Sequence, residues 1–107
     1  MNGILQGTTP HLEITIPDTC PLSAVNAIEL TIKHKDQVTK YGMSDVTVDT
    51  TNNNNKITYV FSETQTLALD PKAPVIWQLR LKTSGGILGT AEQEIRVYDL
   101  ISEDVMA

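Results

Sequence analysis

Apolar and polar residues alternate along most of this chain, and the alternation predicts strands. Successive side chains of an extended segment point to opposite faces, so a period of two puts one face in a core and the other in water. "HLEITI" sets Leu12, Ile14 and Ile16 on one face and Glu13 and Thr15 on the other. Pro10 and Pro17 bound it, because proline cannot donate to a ladder. "AIELTIKHK" repeats the pattern, with Ile28, Leu30 and Ile32 inward and Glu29, Thr31 and Lys33 outward. "PDTCPLSAVN" lies between them, carries two prolines and reads as a loop. In "QVTKYGMSDVTVDT" the run breaks at Gly42 and resumes at Val46 and Val48. "TNNNN" is a turn by composition, since asparagine tolerates left-handed backbone angles and bonds its own main chain. "KITYVFS" then puts Ile57, Tyr59 and Phe61 on one face, so a hairpin across the asparagines is expected.

"SETQTLALDPKAP" breaks the alternation. Ser62 followed by Gln65 matches a helix capping box, and Leu67 and Leu69 then face the core. Pro71 and Pro74 forbid a long helix. A short helical turn near residues 62–69, crossing from one sheet to another, is the expectation.

The last ribbon is "VIWQLRLKTSGGILGTAEQEIRVYDL". Val75, Trp77, Leu79 and Leu81 form its apolar face, and the two glycines signal a hairpin. A three-residue turn at Gly85, Gly86 and Ile87 pairs Trp77 with Ile95 and Val75 with Val97. On the polar face it pairs Arg80 with Glu92 and Gln78 with Glu94. It also leaves Gln93 opposite Leu79, which requires a bulge or an open end. A two-residue turn at Gly85 and Gly86 slips the register by one and exchanges the faces.

These segments make an all-β chain of about seven strands at short spacing, which describes a two-sheet antiparallel sandwich, with a small barrel as competitor. The 107 residues suit a single domain, 1–107, with arms at 1–9 and 100–107. Ile4, Leu5, Ile101 and Val105 are the apolar residues these arms expose for contact.

Charge narrows the partners. The net charge is −5, from 13 acids against 8 bases. Phosphate backbones and anionic membranes are both repelled, so neither nucleic acid nor membrane is expected as partner. No segment approaches the roughly 20 apolar residues of a spanning helix, and "MNGILQGTTP" lacks the basic start of a secretory signal. Cys20 is the single cysteine, so there is no intrachain disulfide; beside Pro21 it reads as a small apolar filler.

Candidate chemistry is thin. His11 and His34 sit at strand ends as rim residues, and no second histidine lies at metal-ligand spacing. Asp45, Asp49 and the asparagines lack the order and the closing glutamate of a calcium loop. Glu92 and Glu94, with Arg80 and Arg96 near, fit cross-strand ion pairing on a wet sheet better than a hydrolytic carboxylate pair. "SGGILGT" has no lysine and no helix after it, unlike a phosphate loop. Trp77, among apolar neighbours at even spacing, reads as core rather than as a sugar platform. No catalysis, cofactor, metal or small-molecule substrate is expected.

"GTTP" at residues 7–10, the strand ending in "IP", "IELTIKH", "WQLRLKTSGG" and the terminal "LISEDVM" together resemble small structural proteins of phages and prophages of Gram-positive bacteria. The resemblance covers nearly the whole chain. It departs in the asparagine-rich turn and in lacking a glutamine-asparagine step after "IKH". It implies a tail- or baseplate-associated β-sandwich similar to the immunoglobulin-like domain of baseplate upper proteins. Such a protein is made in the host cytoplasm, resides in the virion, and contacts other phage structural proteins and its own copies. Gln78, Arg80, Glu92 and Glu94 on the ribbon join the arm residues as expected protein contacts. A free-standing binding module for carbohydrate or a host surface protein is the alternative.

Overall fold

The computed structural model describes residues 3–17, 19–51 and 55–99. Among these described residues ten strands follow in order: β1 (Ile4–Leu5), β2 (His11–Thr15), β3 (Val25–His34), β4 (Gln37–Tyr41), β5 (Thr47–Asp49), β6 (Lys56–Val60), β7 (Val75–Thr83), β8 (Gly86–Gly89), β9 (Gln93–Ile95) and β10 (Val97–Tyr98). One sheet has the order β2-β6-β5; the other has β4-β3-β7-β8, with β9 also on β7. Every pair in these two sheets is antiparallel. β8 and β9 share one path along β7, and β10 continues the chain to pair in parallel with β1. Counted by path, the described residues fill the seven expected positions of a two-sheet sandwich, three in one sheet and four in the other.

Alternation built the core as the sequence predicts. Leu12 and Ile14 of β2 lie opposite Tyr59 and Ile57 of β6, and all four are buried. Across the sandwich, Ile28 and Leu30 of β3 pair with Leu81 and Leu79 of β7, again all buried. Each such side chain stabilises the fold by roughly 1.5–3 kcal/mol. Trp77 packs against this core but is only half-buried, at the end of its face. The hairpin across the asparagines is present, with Asp49 opposite Lys56 and Val48 opposite Ile57; residues 52–54 lie outside the described residues.

The crossing near residues 62–69 is a short helix, α1 (Glu63–Leu67). Ser62 accepts the Gln65 N–H, and the Gln65 side chain accepts the Ser62 N–H, completing the capping box. The residue it buries is not Leu67 but Thr66, fully enclosed, with Leu69 partly packed on the core. A helix turns its side chains at about 100° per residue, so the period-two pair Leu67 and Leu69 cannot share its inner face. The Thr66 hydroxyl donates to Thr8 O at 2.8 Å, and Gln6 Nε2 donates to Leu69 O at 2.7 Å. These bonds pin the crossing to the first residues of the chain.

Those first residues are not a loose arm. Ile4 is 0% exposed, and its N–H donates to Arg96 O at 2.8 Å. The expectation of an exposed Ile4 fails because β1 inserts it between the sheets, while Leu5, one residue on, points outward at 41% exposed. Gly3 carries the chain so close under the Tyr98 ring that a Cβ there would strike it.

Candidate interaction surface

The polar ribbon forms from β7 and β8, in a register the glycines alone do not specify. Thr83 lies opposite Gly86 and Leu81 opposite Leu88, so the turn is the two residues Ser84 and Gly85. Both expected turns, at residues 85–87 and 85–86, are corrected. The Thr83 hydroxyl accepts the Gly85 N–H at 3.2 Å and donates to Gly86 O at 3.3 Å, which draws the turn one residue toward the N-terminus. Gly86 follows at φ +136°, a backbone state that only glycine takes readily.

Farther along, Val75 pairs with Ile95 and Trp77 with Gln93. Thr90 bonds Leu79 through both its N–H (2.9 Å) and its hydroxyl (3.1 Å). Gln78 alone therefore faces Ala91 and Glu92, a bulge that restores Ile95 and Val97 to the core face. The pairs Trp77 with Ile95 and Val75 with Val97 are thus replaced.

The polar pairs change with the register. Arg80 does not meet Glu92; its Nε and Nη2 donate to Glu29 Oε1 of β3 at 3.0 and 2.7 Å. Gln78 does not meet Glu94; its Nε2 donates to Thr90 O at 3.1 Å. Glu94 lies opposite Ile76, and both Glu92 and Glu94 are exposed. The contact candidates Gln78, Arg80, Glu92, Glu94 and Leu5 are all surface residues; Ile4 is not, and Ile101 and Val105 lie outside the described residues.

The hydrogen bond from Arg80 holds the Glu29 carboxyl below its ordinary range. A depressed carboxylate stabilises the fold above its unfolded value of about 4.3 and loses that contribution as pH falls through the folded value. Arg80→Met should therefore lower the urea midpoint at neutral pH, with the two proteins converging in acid below the carboxylate range. Parallel loss at both pH values would mean that Arg80 acts through packing alone.

What stands out on the ribbon is its apolar edge. Ile87 is 64% exposed and Leu88 50% exposed. β8 ends its sheet, and among the described residues no strand pairs with its far side. The other edges of these two larger sheets are blunted by charge or proline, which natural sheets use against edge-to-edge pairing. β2 has Glu13 between Pro10 and Pro17; β4 has Lys40; β5 has Asp49; β9 has Glu94. From Thr83 to Ala91 there is no charged residue and no proline. Beneath Leu88 an apolar cleft of about 230 Å³ runs to Ile16, Pro17 and Cys20.

Among the described residues no reactive constellation emerges elsewhere. A small cleft of about 190 Å³ is lined by His34, Tyr41, Gln65 and Leu69 among others. Its Gln65, Tyr41 and His34 side chains are each engaged in hydrogen bonds. Gln65 Nε2 donates to Tyr41 Oη and Gln65 Oε1 accepts from Tyr59 Oη, both at 3.1 Å. His34 Nε2 accepts the Asp70 N–H at 2.9 Å, and Nδ1 lies 3.3 Å from Pro74 O, which fits the tautomer with its proton on Nδ1. Among the described residues no three His, Cys, Asp or Glu side chains group to hold a metal, and no helix is long and apolar enough to cross a membrane. Tyr98 is the exposed aromatic, with Arg96 over its ring at 5.1 Å.

The residue that sequence reading missed is Asn55. It is buried, and its Nδ2 donates to Ile16 O, Pro17 O and Cys20 O at 3.0–3.2 Å while Oδ1 accepts the Leu22 N–H at 2.8 Å. One side chain thereby closes the loop that carries the chain from one sheet to the other.

Compared with known proteins, the chain matches no protein-family model, no curated protein and no solved structure.

Proposed function

We propose that this chain is a non-enzymatic structural component of a phage or prophage particle, of tail or baseplate type, acting through assembly with its own copies and with other particle proteins. It is made in the bacterial host cytoplasm and resides in the virion. The single observation that carries the assembly reading is the unblunted edge of β8, with Ile87 and Leu88 in solvent. Exposed main-chain donors and acceptors beside apolar side chains are what strand addition uses. The placement in a particle rests on the resemblance of "GTTP", "IELTIKH" and "WQLRLKTSGG". Edge, surface charge and fold suit a repeated part, since none of them needs a pocket or a reacting group.

The test is recovery from particles. Particles induced from the source bacterium and banded on a density gradient should contain the chain by mass spectrometry, at a constant ratio to the other particle proteins across the band. A chain found only in the soluble lysate would remove the virion reading.

A further inference from the structure

Resting on the assembly reading above, we propose that β8 pairs antiparallel with β8 of a second copy about a two-fold axis, Leu88 facing its own counterpart. Three observations select a second copy as the occupant. The first is charge. Two chains of net charge −5 repel, and the run from Thr83 to Ala91 is an edge of the larger sheet where no like charges meet. The second is direction. Thr83 and Gly86 close the hairpin, so Leu88 turns its main-chain groups toward Leu81, and the alternation turns those of Ile87 and Gly89 outward. A two-fold through Leu88 sets Ile87 against Gly89 of the other copy, where about four main-chain bonds form. The third is continuity. Leu88 lies on the face of Leu81 and Ile28, so pairing extends that apolar row from one sandwich into the next. On the opposite face each Ile87 lies beside a glycine, which leaves room for it.

Two edges of this length bury less than the roughly 1,000 Å² of a stable interface. Dimerisation in solution is therefore weak, with half-association on the order of 100 µM, and it strengthens when neighbouring contacts in a particle hold the copies together.

The register fixes the experiment. Facing Leu88 residues form a non-hydrogen-bonded pair with Cα atoms about 4.5 Å apart, within disulfide reach. In a Cys20→Ser background, Leu88→Cys should oxidise to a covalent dimer on a non-reducing gel, at least about tenfold more than Ile87→Cys, whose counterparts lie offset. In the otherwise native chain, Ile87→Lys should abolish the rise in sedimentation mass that the wild type shows toward millimolar concentration. Ile87 is 64% exposed, so this variant keeps the fold. Preferential cross-linking through Ile87→Cys overturns the register. A wild type that associates while Ile87→Lys associates equally overturns the edge pairing and leaves assembly through another surface. A wild type monomeric throughout, with no Leu88→Cys cross-link, overturns self-pairing whether or not the chain is found in particles.

Discussion

Asn55→Ala should cost about 3 kcal/mol of folding stability, because it strands a buried Leu22 N–H and removes the donor to three loop carbonyls. For a domain of this size that corresponds to a fall of roughly 10–20 °C in Tm. Asn55→Asp sharpens the point. Its carboxylate still accepts from Leu22 but faces the oxygens of Ile16, Pro17 and Cys20, so it should be at least as damaging at neutral pH. Protonation restores one donor, and Asn55→Asp should recover relative to the wild type in acid. Thermal unfolding of the three proteins at two pH values measures this. A Tm for Asn55→Ala within a degree or two of the wild type would show that the loop of residues 16–22 is held by its apolar residues Ile16 and Leu22 alone.

The second large effect lies on the alkaline side. Burial pushes the Tyr59 phenol up to about 12, with the Tyr41 hydroxyl adding to the shift and Gln65 opposing it. Tyr59 lies between the rings of Tyr41, tilted at 4.5 Å, and Phe61, edge-on at 5.0 Å between centroids, an apolar setting for a charge. In the unfolded chain the same phenol ionises near 10. Between those two values the unfolded state holds fewer protons than the folded one, so stability falls as pH rises. The contribution is complete below about pH 10 and is lost on passing about pH 12, a change of roughly 2 kcal/mol. Tyr59→Phe forfeits the bond to Gln65 Oε1, about 1 kcal/mol at neutral pH. Since that oxygen also accepts the Ser62 N–H, no acceptor is orphaned. The variant should therefore start less stable than the wild type and overtake it at high pH. Denaturation series from neutral to alkaline pH read the crossing, and tyrosinate absorbance reads the late ionisation. Curves that never approach each other would place Tyr59 in contact with water.

Much of the sandwich is legible in the chain because its cause is local. Leu12 with Ile14, Leu30 with Ile32, and Ile57 with Phe61 announce their strands by alternation, and Ser62 with Gln65 announce α1 within four residues. What the chain hides is decided at a distance or by a contest between near equals. Ile4 belongs to a two-residue strand whose partner is Val97, far along the sequence, so its two flanking residues read as an arm. "TSGGI" permits several hairpin turns, and the Thr83 hydroxyl, not a glycine count, decides among them. Arg80 follows that decision: once the register moves, Glu29 on β3 is its neighbour and Glu92 is not. Asn55 is the last of four consecutive asparagines, and nothing in composition separates it from the others. The apolar pair Ile87 and Leu88 is plain to read, but its exposure depends on where the opposing sheet stops, which only the packing reveals.

The parallel run of β1 beside β10 has a mechanical consequence. The two strands point the same way, so tension applied ahead of β1 and beyond β10 pulls them past each other lengthwise. The bonds from Ile4 N to Arg96 O and from Gln6 N to Tyr98 O then bear load together instead of opening one after another. A hairpin tugged at its open end unzips; this patch must shear, and with it the buried Ile4 has to leave its socket before any force reaches the longer strands behind.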